Sequence, residues 1–145
     1  VLRFIEVFVE AGANIISFHP EVDANPIKII NLIKKLNCKA GIAIHPDIEV
    51  KKLNKYLDLV DVVVVMTVVP GFGGQNFMNN QINKIEILKK LKDKFNYKFE
   101  IEVDGGINNN NVKICKNKGA DIIVAGSYIY NSSPSHYKHL IESLR

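Results

Sequence analysis

The chain has 145 residues, 47% hydrophobic and 23% charged, with a net charge of +4. That is the balance of one globular domain with one core. No apolar run approaches the roughly 20 residues a membrane span needs, and no basic leader, cleavage site or polybasic tail is visible, so the expectation is a cytoplasmic protein with no membrane partner. The lysines (Lys34, Lys35, Lys51, Lys52, Lys89, Lys90, Lys92 and Lys94 among them) are spread along helix faces and do not alternate with aromatics. This argues against nucleic acid and leaves a mild positive field suited to a small anionic substrate. Cys38 and Cys115 lie far apart without metal-like spacing and read as reduced, buried thiols.

Helix and strand signals then alternate. Leu2 to Ala11 predicts a helix stopped by Gly12, and Asn14 to Phe18 a short strand leading into His19-Pro20. Pro26 opens a helix to Asn37 with Ile27, Ile30, Ile33 and Leu36 on its apolar side. Lys39 to Ile44 is a strand ending at His45-Pro46, and Val50 to Leu57 a short helix. Val60 to Thr67, with four consecutive valines at Val62 to Val65, is a strand covered on both faces. It runs into Pro70 and the glycines Gly71, Gly73 and Gly74. Met78 to Lys94 is a helix, and Tyr97 to Val103 a strand stopping at Asp104-Gly105-Gly106. The asparagines at 108–111 read as a turn and cap. Asn110 to Lys118 is a helix closed by Gly119, Asp121 to Ala125 the last strand, and Tyr137 to Leu144 a final amphipathic helix.

Strands that alternate with helices demand a parallel sheet. Each strand tip here carries a residue able to do chemistry: His19, His45, the Gly71 loop, Asp104 and Ser127. Spreading such residues over successive strands is the habit of a (β/α)₈ barrel. Five strands cannot close one, so the expected fold is a partial (β/α)₈ TIM barrel holding strands 4–8. Residues 1–145 then form a single incomplete domain with about three βα units missing ahead of Val1. Phosphate-binding barrels hold the anion between the loops after strands seven and eight, against a short extra helix. Gly105, Gly106 and Ile107 stand in the first loop, Gly126 and Ser127 in the second, and Ser127 to Tyr130 could be that helix. Asp104 ends a buried strand, where a carboxylate is costly unless it is paired, protonated or metal-bound.

The segments MTVVPGFGGQNFM (Met66 to Met78), VDGGIN (Val103 to Asn108), AGS (Ala125 to Ser127) and FHPE (Phe18 to Glu21) resemble the ribulose-phosphate 3-epimerase family over essentially the whole chain. The resemblance implies an isomerase that inverts C3 of a ketose phosphate, D-ribulose 5-phosphate to D-xylulose 5-phosphate, in the pentose phosphate pathway. Two bases on opposite faces would pass the proton through a metal-stabilised enediolate. It implies that Asp104 is both catalytic acid/base and metal ligand, and that the metal is a divalent ion, Zn²⁺ by preference, with its other ligands ahead of Val1. Gly71, Phe72, Gly73 and Gly74 would close over the substrate, Gly105, Gly106, Ile107, Gly126 and Ser127 would cradle the phosphate, and Met66 would line the pocket. A homo-oligomer is left open for a full-length protein.

The chain departs from the family pattern at His45, where Asn or Lys is usual, at Ile48, where Thr is usual, and at Val69, where Glu, Asn or His is usual. His19 is expected as a hydrogen-bonded rim histidine outside the metal shell, and His136 and His139 as solvated. The alternatives are a truncated, inactive phosphosugar-binding remnant, a related hexulose-6-phosphate 3-epimerase, or another phosphate-binding barrel.

Overall fold

The computed structural model describes residues 2–145. Its elements are α1 (Leu2–Glu10), β1 (Ile15–Phe18), α2 (Pro26–Lys35), β2 (Lys39–Ile44), β3 (Val62–Met66), α3 (Ile82–Phe95), β4 (Glu100–Asp104), α4 (Val112–Asn117), β5 (Ile122–Val124), α5 (Ser127–Tyr130) and α6 (Tyr137–Ser143). The five strands form one sheet in the order β1-β2-β3-β4-β5, and every neighbouring pair is parallel. Sequential parallel strands with a crossover after each are an arc of a (β/α)₈ barrel. Among the described residues no helix is long and apolar enough to cross a membrane.

Side chains alternate across a strand, so the sheet sorts them into two faces. Ile42, Ile44, Val63, Val65, Ile101 and Val103 face the helices and join Ile29, Ile30, Ile33, Ile85 and Leu88 in the main core. Ala43, Val62, Val64, Met66 and Val68 form a smaller cluster on the other face. Register carries that face across to β4 and β5: Val64 pairs with Glu102 and Met66 with Asp104, which pairs in turn with Val124. Glu100, Glu102 and Asp104 therefore stand in a row on the inner face. Burial raises the Glu102 pKa, and the charges of Asp104 and Glu100 raise it further.

At the edge where the strands begin, two aspartates perform the same task. Asp61 precedes β3 and accepts from the Ala40 N–H at 2.8 Å. Asp121 precedes β5 and accepts from the Ile101 N–H at 2.9 Å, while Lys92 holds the same oxygen at 2.8 Å. Each carboxylate satisfies a strand N–H that the ladder leaves open.

Three expectations need correction. The buried side of α2 is Pro26, Ile29, Ile30 and Ile33, and Ile27 is 41% exposed. A spacing of three and four residues tracks the helix face, whereas the strict spacing of three drifts off it. Val50 to Leu57 is no α-helix: a 3₁₀ turn spans Val50–Leu53 and turns follow. Val50, Leu53, Tyr56 and Leu57 are all buried, and the step of three from Val50 to Leu53 is the 3₁₀ repeat. Finally, Asn111 precedes α4, but its side chain does not cap it. Its Oδ1 accepts from the Asn108 N–H at 2.9 Å and its Nδ2 donates to the Gly106 carbonyl at 2.9 Å.

Asp121→Ala strands the Ile101 N–H inside the sheet and is expected to cost about 1–3 kcal/mol. Urea denaturation checks this, and Asp121→Asn, which keeps an acceptor, should cost less.

Candidate active site

The strand tips β3, β4 and β5 surround a cleft of about 410 Å³. It is lined by every residue expected at the site, namely Met66, Gly71, Phe72, Gly73, Gly74, Asp104, Gly105, Gly106, Ile107, Gly126 and Ser127, together with Val68, Pro70, Gln75 and Val124. Asp104 comes from the last position of β4, on the inner face of the sheet and away from the helix layer. Ser127 opens α5, whose N-cap is Gly126, so the first turn of a short helix adjoins the cleft. Phe72 stands at the loop tip with 73% of its surface exposed.

The β3 and β4 loops touch at Gly106. Its φ is +66°, and a Cβ there would stand 2.6 Å from the Phe77 nitrogen and 2.9 Å from the Gln75 carbonyl. Both conditions leave room for glycine alone. Two polar side chains with no assigned role brace this region. Gln75 Nε2 donates to the carbonyls of Val69 at 2.7 Å and Phe72 at 2.8 Å, closing the glycine-rich loop on itself. Thr67, fully buried, donates its hydroxyl to the Gly105 carbonyl at 2.6 Å. A lone hydroxyl after a run of valines was the available signal for Thr67, because a buried polar group must find a partner.

Burial raises the Asp104 pKa above its ordinary 3.8. A carboxyl that holds its proton closer to neutrality is better suited to exchange one with a carbon acid. The same shift acts on stability. With the folded value raised, the carboxyl's contribution is fully present below the unfolded value and is lost as pH rises through the folded one.

His19 and His45 do not join this cleft. They line a neighbouring cavity of about 450 Å³ with Glu21, Asp47 and Pro70, their ring centroids 6.4 Å apart. His19 corrects the expectation of a hydrogen-bonded histidine: its Nδ1 is buried without a hydrogen-bond partner, 3.4 Å from Glu21 Oε1 but misaligned. Lys84 reaches from α3 to donate to the carbonyls of His45 at 3.0 Å and Pro46 at 2.6 Å. Among the described residues no three His, Cys, Asp or Glu side chains converge to hold a metal ion. A catalytic zinc normally takes three protein ligands, so Asp104 alone does not fit one.

Five parallel strands in sequential order, with their helices on one face and their following loops at one edge, define an arc of a (β/α)₈ barrel. Solved structures share that fold: KGPDC from Streptococcus mutans matches with a TM-score of 0.72 at 14% identity, over 98% of this chain and 63% of that one. 3-Hexulose-6-phosphate synthase matches with a TM-score of 0.67 at 16% identity, over 97% of this chain and 64% of that one. The family is set by sequence. The description of the ribulose-phosphate 3 epimerase family matches residues 1–130, and the chain belongs to that family. It is 37% identical to the ribulose-phosphate 3-epimerase of Escherichia coli over 99% of this chain and 63% of the relative. Against that of Buchnera aphidicola it is 44% identical, over 95% of this chain and 60% of the relative. The chain thus spans about three-fifths of the length of these curated relatives.

Asp104→Asn keeps the shape and removes the buried charge. It is expected to raise the melting temperature by a few degrees at neutral pH, with the gap closing as pH falls through the raised folded value and gone below the ordinary Asp value. Thermal melts across that range check it, and a variant less stable at neutral pH would contradict the assignment.

Proposed function

We propose that this chain is the catalytic arc of a ketose-phosphate 3-epimerase, an incomplete (β/α)₈ domain that works when the remaining barrel strands are supplied. The observation that carries the reading is the placement of Asp104 in one cleft with the amide-bearing loops at Gly71–Gly74, Gly105–Ile107 and Gly126–Ser127. The substrate is a small phosphosugar, with D-ribulose 5-phosphate and D-xylulose 5-phosphate as the pair the family's name favours.

The phosphate binds between the β4 and β5 loops, where backbone N–H groups and the Ser127 hydroxyl donate to it and the first turn of α5 adds its dipole. This anchors the sugar so that C3 lies near the Asp104 carboxyl. Asp104 takes or returns the C3 proton on one face. Inversion requires a second base on the opposite face, and that base comes from outside the described residues. Met66, Val68 and Phe72 form the apolar wall that keeps water from the carbon while it is deprotonated. Phe72, exposed on its self-closed loop, folds down over the bound sugar. Burial raises the Asp104 pKa, a shift in the direction that favours a residue serving as base in one direction and acid in the other.

The test is exchange of the C3 proton of ribulose 5-phosphate with solvent, measured on a protein with the whole barrel. Asp104→Asn is expected to cut exchange by about a hundred- to ten-thousand-fold while the protein still folds. Ser127→Ala is expected to raise KM with little change in kcat, because phosphate is held alike in the ground and transition states. Near-normal exchange by Asp104→Asn would overturn the catalytic role. Exchange with a hexulose 6-phosphate in preference to the pentulose would reassign the substrate.

A further inference from the structure

Thr67 does not line the cleft, although Met66 and Val68 on either side of it do. It points to the opposite face of its strand and is fully buried there. Three of its polar atoms nonetheless hold the cleft's loops. Its N–H donates to the Asp104 carbonyl at 2.8 Å, and its carbonyl accepts from the Met78 N–H at 2.8 Å, where the glycine-rich loop returns. Its hydroxyl stands 2.6 Å from the Gly105 carbonyl and 3.0 Å from that of Asp104. A hydroxyl has one hydrogen to give. The Asp104 carbonyl already has the backbone N–H, so the shorter contact to Gly105 takes it.

A trans peptide unit is planar, with its C=O and the following N–H pointing in opposite directions. A Gly105 carbonyl pinned toward Thr67 therefore turns the Gly106 N–H the other way. Gly106 lines the cleft, and among the described residues its N–H donates to no protein acceptor. Glycine at 105 gives this peptide unit no side chain to fix its rotation, and its φ of +121° lies where few other residues settle. The orientation must be imposed from outside, and Thr67 is the group that imposes it.

We propose that Thr67 is a positioning residue whose buried hydroxyl, by pinning the Gly105 carbonyl, aims the Gly106 N–H at the anion the cleft takes. The inference rests on the phosphosugar reading above and deepens it by naming what orients the phosphate's donor.

The experiment titrates inorganic phosphate into ¹⁵N-labelled whole-barrel protein and follows the Gly106 amide resonance, alongside steady-state epimerisation. Wild type is compared with Thr67→Val, which keeps the branched shape and loses the hydroxyl, and Thr67→Ser, which keeps the hydroxyl. Phosphate is expected to shift the Gly106 amide in wild type and in Thr67→Ser. In Thr67→Val that shift should vanish and phosphate affinity fall about tenfold, the loss of one hydrogen bond. KM should rise by a like factor with kcat within about twofold, because the Asp104 carbonyl keeps its backbone donor. Wild-type affinity in Thr67→Val, or a Gly106 amide in wild type that ignores phosphate, overturns the proposal. If Thr67→Val does not fold, Thr67→Cys supplies a similar shape with a weak donor. It should lose affinity in the same direction, and unchanged affinity would overturn the proposal equally. A Gly106 amide that responds as expected in a protein that exchanges no C3 proton upholds Thr67 and rejects the epimerase reading.

Discussion

Parallel pairing fixes where everything else in this protein must lie. All five strands run the same way, so all five chain reversals that follow them crowd one edge of the sheet. Two of those reversals, after β3 and β4, are rich in glycine and come close enough that Gly106 meets the backbone of the preceding loop. The cleft is the consequence. It is walled by apolar side chains from the inner face, floored by a carboxyl at a strand end and rimmed by main-chain groups no side chain obstructs. The opposite edge is a different surface, held by Asp61 and Asp121 against the N–H groups of Ala40 and Ile101.

The inner face carries a cost that the outer face does not. Valine and methionine fill it at β3, but β4 sets Glu102 and Asp104 there, and burial resists ionisation of both. Glu100 at the far end of the row has Lys39 at 3.5 Å, while among the described residues no cation pairs with Asp104. A carboxyl left in that condition is poor for stability and useful for proton transfer, as is common at functional sites. The solvent side of α3 shows the contrasting case: Glu86, held by Lys118 and Lys90, has its pKa pulled down to about 2, an ordinary surface arrangement in water.

Much of this was legible from the residues. The valine run, the helix spacing in α3 and the Gly-rich strand ends placed the elements and the cleft, because burial and backbone freedom are written in residue type. What escaped was of two kinds. Helix details came first: at Ile27 a spacing of three was read as a helical face, and Val50 to Leu57, expected as a short helix, forms only a 3₁₀ turn, because packing decides between 3₁₀ and α when a segment is short. Second came side chains whose partners are main-chain carbonyls distant in sequence. Thr67 meets Gly105 and Lys84 meets His45 only once the strands are laid side by side. A sequence announces that such a group needs a partner and not which partner it finds. Asn111 shows the same limit in reverse, since a residue at a capping position spends its amide on the preceding turn.

Among the described residues the Gln75 side chain bonds to carbonyls within its own loop alone, those of Val69 and Phe72. The curl of seven residues, 69–75, is therefore tied across its own ends by one side chain, while the β4 loop presses on it at Gly106. A segment that carries its own clasp arrives at the encounter already shaped, so less disorder is surrendered when a guest settles.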